Sequence, residues 1–273
     1  MTTKAQLLRL FKESTPSWRS EATRYRYPRL VERFIDYVGA KPSYTKADAI
    51  RFLNHILNSG LSKNYARWSA YVLKQFYESL DLDFPLKATD LPQIEPGDVV
   101  APLFGTEYIR SLIDAVKRKG DPKARAYLAL STAFGPRRSE LASLSTKNIN
   151  NGTITIKTMK HGEPRHLVIP EEVRPYITIY KFTPTHPQTM TNLFKRIQLL
   201  AGYKHGVHDG WHGIRRSLVT NLMSNGVQPH LVWAFMGWKL SSRLGILGEY
   251  TRPDPEVVQQ VCYEKHPFLP LWR

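Results

Sequence analysis

Between Asp83 and Leu103 the chain carries four prolines, Pro85, Pro92, Pro96 and Pro102, and one glycine, Gly97. Proline lacks a backbone donor and locks φ, so neither a helix nor an inner strand runs through such a tract. Apolar residues recur at helical spacing on both sides of it. The 273 residues therefore read as a helical block over 1–85, a linker over 86–103 and a second block over 104–273, a length that suits two medium domains.

In the first block, residues 1 to 19 are a basic lead-in with Leu7, Leu8, Leu10 and Phe11; a packed helix and a loose arm both fit. Leu30, Val31, Phe34, Ile35 and Val38 then share a helix face that Gly39 ends. Thr45 is placed to cap a helix carrying Ile50, Leu53, Ile56 and Leu57 as far as Gly60. Ser62 is placed to cap another, with Tyr65, Trp68, Val72, Phe76 and Leu80 along it. Arg24, Arg26, Arg29, Lys63, Arg67 and Lys74 ride on these helices. They suit solvated faces and phosphate contacts alike.

The second block opens with Thr106 as a cap before Ile109, Leu112, Ile113 and Val116, and Gly120 ends that helix. Pro122 suits the first turn of the next, which Gly135 and Pro136 break. Thr153 to Lys157 alternates as a strand, and Arg165 to Ile169 reads as its hairpin partner. Helices follow over Thr189–Leu200, over Ile214–Asn225 with a stripe of Ile214, Leu218 and Leu222, from Pro229 to near Gly237, and over Glu256–Tyr263. The fold class is thus mostly α with a small β-hairpin or sheet in the C-terminal domain.

A formal charge of +16 and a pI near 9.9 point to a polyanionic partner, first of all nucleic acid. No apolar run is long enough to span a bilayer. The N-terminus lacks a secretory pattern, and the single Cys262 excludes an internal disulfide and reads as a small buried hydrophobe. A cytoplasmic, DNA-facing protein is expected. His212 and Arg215 sit three residues apart at the start of a helix, where outward N–H groups favour anions, so they form a candidate phosphate cradle.

Four motifs come in order: Phe134-Gly-Pro-Arg-Arg-Ser-Glu-Leu141, His212-Gly-Ile-Arg-Arg216, Met236-Gly-Trp238 and Glu249-Tyr-Thr-Arg252. Together they resemble the tyrosine recombinase family (phage integrase or Xer-like), whose motifs read roughly Thr-Gly-x-Arg-x-Ser-Glu-Leu, His-x-Leu-Arg-His, Leu-Gly-His/Trp and Tyr-Thr-His. The resemblance covers about residues 20 to 255. It implies a helical core-binding domain that clamps DNA, an α+β catalytic domain, and a C-terminal tail that docks on a neighbour; a cap on its own domain is the other reading of the tail.

The same resemblance implies a chemistry. The Tyr250 hydroxyl attacks a phosphodiester, displaces a 5′-hydroxyl and leaves a 3′-phosphotyrosyl bond for rejoining. Arg137 and Arg215 answer charge on the non-bridging oxygens. Lys157 matches the family's hairpin lysine, with Lys160 its competitor. His212 suits general acid–base or phosphate-binding work. Trp238 donates an indole N–H, and Glu140 orients its neighbours. Arg24, Arg26, Lys63, Arg67, Lys160 and Arg216 are the expected DNA contacts. No metal and no cofactor is expected. The implied partner is double-stranded DNA at a specific site, bound by a tetramer, with room for accessory DNA-bending proteins. The implied location is the cytoplasmic nucleoid, that of the host cell for a virus or plasmid protein.

Two departures stand out. The stretch from Trp238 to Tyr250 is longer than in most members and holds Gly245 and Gly248. Arg216 and Arg252 replace histidines and keep the positive charge. A DNA-binding module of this fold without cleavage, and a strand-relaxing enzyme of the type IB topoisomerase kind, are the competing readings. The first expects unchanged DNA topology; the second expects relaxation without site preference.

Overall fold

The computed structural model describes residues 3–14, 21–95, 103–158, 164–206, 209–239 and 253–273. Among them are twelve α-helices and one three-stranded antiparallel sheet, the mostly helical class the sequence implied. The chain divides into two compact units, Met1–Val100 and Ala101–Arg273.

In the first unit α1 (Lys4–Glu13) is a packed helix rather than an arm. Thr3 and Gln6 form its capping box, and Leu7 and Phe11 are buried. Helix α2 (Glu21–Val38) continues until Gly39, whose φ of +87° is left-handed and cheap only for glycine. Helix α3 (Lys46–Asn58) is capped by Thr45 and α4 (Lys63–Glu78) by Ser62, both as expected. Phe11, Phe34, Phe52 and Phe76 meet in the core, the Phe34 and Phe52 rings edge to face at 5.3 Å. Buried Asp48 accepts from Lys41, Arg51 and the Thr45 backbone; burial opposes its ionisation, but these partners hold its pKa well below the usual carboxylate range.

In the second unit α5 (Thr106–Lys119) begins at the residue expected to cap it. Gly105 takes the extended cap position and brings no side-chain bond, a one-residue shift. Helix α6 (Pro122–Phe134) is the hub. Every residue from Ala126 to Phe134 is buried, because helices pack all round it. Asp121 caps it, and Gly135 ends it at φ +54°. Helix α7 (Arg138–Ser143) follows at once.

The expected hairpin is two strands of a three-stranded sheet in the order β1 (Ile149–Asn150), β2 (Thr153–Ile156), β3 (Arg165–Val168). Ile156 pairs with Arg165, so Lys157 lies just past the end of β2. The two-residue β1 is too short to read as a strand by alternation.

Helix α8 (Arg174–Thr178) packs on α6. Helices α9 (Pro187–Leu200) and α10 (Trp211–Ser224) start two and three residues before the expected Thr189 and Ile214. Gly226, at φ +81°, ends the α10 segment. Helices α11 (Pro229–Phe235) and α12 (Pro255–Glu264) complete the unit. The chain end packs on this same unit: Phe268, Leu269 and Trp272 are buried in its core, and the Trp272 indole donates to Thr132 Oγ1 at 2.9 Å. Cys262 is buried there too, and burial pushes its thiol up to about 12.

Candidate active site

The last carbonyls of a helix have no intrahelical partner and carry the negative end of its dipole. At the end of α6 three successive carbonyls are each met by a side chain from elsewhere. His266 Nε2 meets Ala133 O at 3.0 Å. Arg165 Nη1 donates to Phe134 O at 2.7 Å, and Arg215 Nη1 to Gly135 O at 2.6 Å. Both guanidiniums also reach the end of α11. Arg165 donates to Phe235 O at 3.3 Å and Arg215 to Met236 O at 3.0 Å. Two buried arginines thus tie two helix C-termini together, one from β3 and one from α10.

Close backbone approach makes this possible. A methyl on Gly135 would sit 2.8 Å from Met236 Cε, and one on Gly237 2.9 Å from Thr158 Oγ1 and 3.0 Å from the Arg165 chain. Helix α10 is pinned at its start. The Trp211 indole donates to Met190 O at 2.7 Å, Ser217 Oγ accepts from the Phe104 amide at 2.7 Å, and a methyl on Gly213 would run into the Phe104 ring.

Glu140 lies between the arginines with a relative exposure of 1%. As the third residue of α7 it accepts from the Arg137 amide at 2.8 Å, from the Arg137 guanidinium at 2.6 Å and from Arg165 at 3.5 Å. Burial favours its neutral form, but the Arg137 amide and the charges of Arg165, Arg137 and Arg215 outweigh burial and hold its pKa down. Burial, and then the mutual repulsion of the cations, pulls the pKa values of Arg165 and Arg215 down, while Glu140 opposes the shift. Arg165 and Arg215 nevertheless stay protonated at neutral pH. Three positive charges around one carboxylate leave an electrostatic demand for an anion. Arg137, with 23% of its side chain exposed, is the member open to solvent.

The structure brings four of the expected residues together. Arg137, Glu140 and Arg215 share the cluster, and the Arg215 guanidinium lies 5.3 Å from the Trp238 ring centroid. His212 is exposed, one residue into α10, and Arg216 is exposed on the same helix. Lys157 is exposed beside the strand that carries Arg165. Tyr250 and Lys160 lie outside the described residues.

On the first unit Arg24 and Arg26 are exposed and Lys63 is half-buried, while Arg67 donates to Pro92 O at 3.1 Å. Arg67 therefore anchors the chain leaving α4 as well as carrying charge. Arg165 is the residue the motifs missed. A charged residue at the head of a strand reads as an exposed edge; only the register, pairing Arg165 with inward-facing Ile156, turns it into the core.

Residues 104–256 match the model of the phage integrase family. The match spans more than half of the chain, and the protein belongs to this family, the tyrosine recombinases. A search of curated proteins by sequence found no match. Among solved structures, a lambda integrase dimer bound to a COC′ core site is similar with a TM-score of 0.70 at 15% identity, over 88% of this chain and 96% of that one. The Tn1549 transposon integrase in complex with transposon right-end DNA has a TM-score of 0.63 at 18% identity, over 97% and 99%. A lambda integrase tetramer bound to a Holliday junction has 0.67 at 14%, over 93% and 78%. At these identities the likeness establishes the fold.

Proposed function

We propose that this protein is a site-specific DNA recombinase that cleaves and rejoins strands through a phosphotyrosyl intermediate on Tyr250. The observation that carries the reading is the cluster of Arg137, Arg165 and Arg215 around one buried carboxylate, a cation excess suited to a diester phosphate gathering charge in a pentacoordinate transition state. The Tyr250 hydroxyl gives its proton to His212 and its oxygen bonds to phosphorus, the bond to the 5′-oxygen breaks, and that oxygen takes up a proton. Lys157 or Lys160 supplies the proton. Attack by a 5′-hydroxyl, from the same or another strand, reverses the step and frees Tyr250. Arg137 and Arg215 bear on the non-bridging oxygens; Glu140 orients Arg137 and Arg165. The indole N–H of Trp238 and His212 at the amino end of α10 complete the phosphate's surroundings.

In this reading the helical block over 1–85 clamps duplex DNA with Arg24, Arg26, Lys63 and Arg67, residues 86–103 link it to the catalytic block over 104–273, and Arg216 adds a phosphate contact there. The lambda integrase tetramer on a Holliday junction supports four protomers on two duplexes. The site of action is then the nucleoid.

The test is a suicide duplex nicked so that the cleaved end diffuses away. Wild type accumulates a protein–DNA adduct resistant to denaturant, and Tyr250→Phe forms none. A wild-type protein that binds its own target without ever forming the adduct defeats the reading.

A further inference from the structure

Helix α2 presents Arg26, Arg29 and Arg33 on one face, at the i, i+3, i+7 spacing that lines residues up along a helix. Beside α4 these arginines wall a cavity of about 510 Å³, together with Tyr25, Tyr65 and Trp68. No acidic side chain is among the described residues that line it. Two of the arginines, Arg29 and Arg33, are held by aromatic groups. The Arg29 guanidinium lies 3.9 Å from the Tyr25 ring centroid, and Arg33 donates to the Tyr65 hydroxyl at 3.3 Å. The Tyr65 and Trp68 rings are 5.2 Å apart, and Tyr25 is 57% exposed.

Such a wall offers two things at once, flat π-faces and uncompensated positive charge. A duplex backbone needs only the charge, and its bases are already stacked. A ligand that uses both is a nucleotide outside a helix, its base against the rings and its phosphate at the arginine rim. The volume suits a ligand of that size. We propose that this cavity binds an unpaired nucleotide, with Arg26 on the border between it and the duplex contacts proposed above. The proposal rests on the nucleic-acid partner of the reading above and on none of its cleavage chemistry.

The full-length protein is irradiated with an oligothymidylate carrying one 5-iododeoxyuridine, a base that cross-links to an aromatic ring stacked on it, and the joined peptide is mapped. The expected cross-link falls on Tyr25, Tyr65 or Trp68. Tyr25→Ala removes an exposed ring without opening the core. It weakens binding of the unpaired oligonucleotide by about 5- to 150-fold, the effect of losing one stack, and weakens a fully paired duplex of equal length less. Arg26→Gln lowers the salt dependence of single-strand binding by about 0.7 in slope, one phosphate's share. Cross-links found only outside the cavity, or a loss on unpaired DNA no larger than that on duplex, overturn the proposal. Failure here leaves a Tyr250 adduct standing, and failure of the adduct leaves the cross-link standing.

Discussion

Replacing Glu140 with glutamine removes one negative charge and almost no volume. The amide oxygen still accepts from the Arg137 backbone, so the cap of α7 survives. What goes is the only carboxylate, among the described residues, that bonds both Arg137 and Arg165. Breaking a buried ion pair by neutralising one partner costs about 3–5 kcal/mol. Solvent reaching the 23%-exposed Arg137 screens part of this, so the lower end, about 3 kcal/mol, applies. For a unit of this size that is roughly 6–12 °C in melting temperature. The effect has a pH signature. Against burial, the cationic neighbours hold the Glu140 pKa below its ordinary value, so the stabilisation is full above about pH 4.3 and is lost as pH falls through the lower folded value. Thermal unfolding of wild type and Glu140→Gln at neutral pH and near pH 3 is the assay. The gap is wide at neutral pH and narrows in acid. A gap under about 2 °C at neutral pH, or one unchanged in acid, refutes the cation cluster as described.

Arg165→Met leaves the Phe134 and Phe235 carbonyls without that donor and weakens Glu140's charge balance; a loss of about 3 kcal/mol in urea unfolding and slowed cleavage at temperatures where the variant is folded are expected. His266, lowered to about 4 by burial with the Ala133 carbonyl opposing, is neutral in the fold, so its stabilisation is full above about pH 6.5 and fades as pH drops toward 4. About 3 kcal/mol is lost across that window, and His266→Gln flattens the dependence in pH-resolved unfolding. Gly213→Ala drives a methyl at the Phe104 ring and costs about 1–3 kcal/mol by denaturant midpoint, with cleavage reduced because α10 carries Arg215.

Much of this architecture was legible because it rests on local chemistry. Thr45 and Ser62 announce helix starts, Gly39 and Gly135 announce stops, and the stripe of Ile214, Leu218 and Leu222 announces the face of α10. Arg137, Glu140 and Arg215 were legible as motif members. What makes them a cluster was not, because it depends on partners far apart in sequence. Side chains from β3, α10 and the stretch after α12 converge on consecutive carbonyls at the end of α6. No window of sequence contains that convergence, and Arg165 became visible only through strand register. The tail was equally open in sequence; its place on its own unit is set by Trp272 and His266, whose partners Thr132 and Ala133 lie at the end of α6.

The proposed cleavage turns on guanidinium charge answering charge on a phosphate. Cleavage is therefore measured on two matched suicide duplexes, one with the native scissile phosphate and one with a methylphosphonate there, which has lost the anionic oxygen. With wild type and Arg137→Ala compared on both, the variant is expected to lose most of its rate on the native linkage and little on the neutral one. An equal loss on both linkages would mean that Arg137 does not act on that charge, and would contradict the mechanism at its centre.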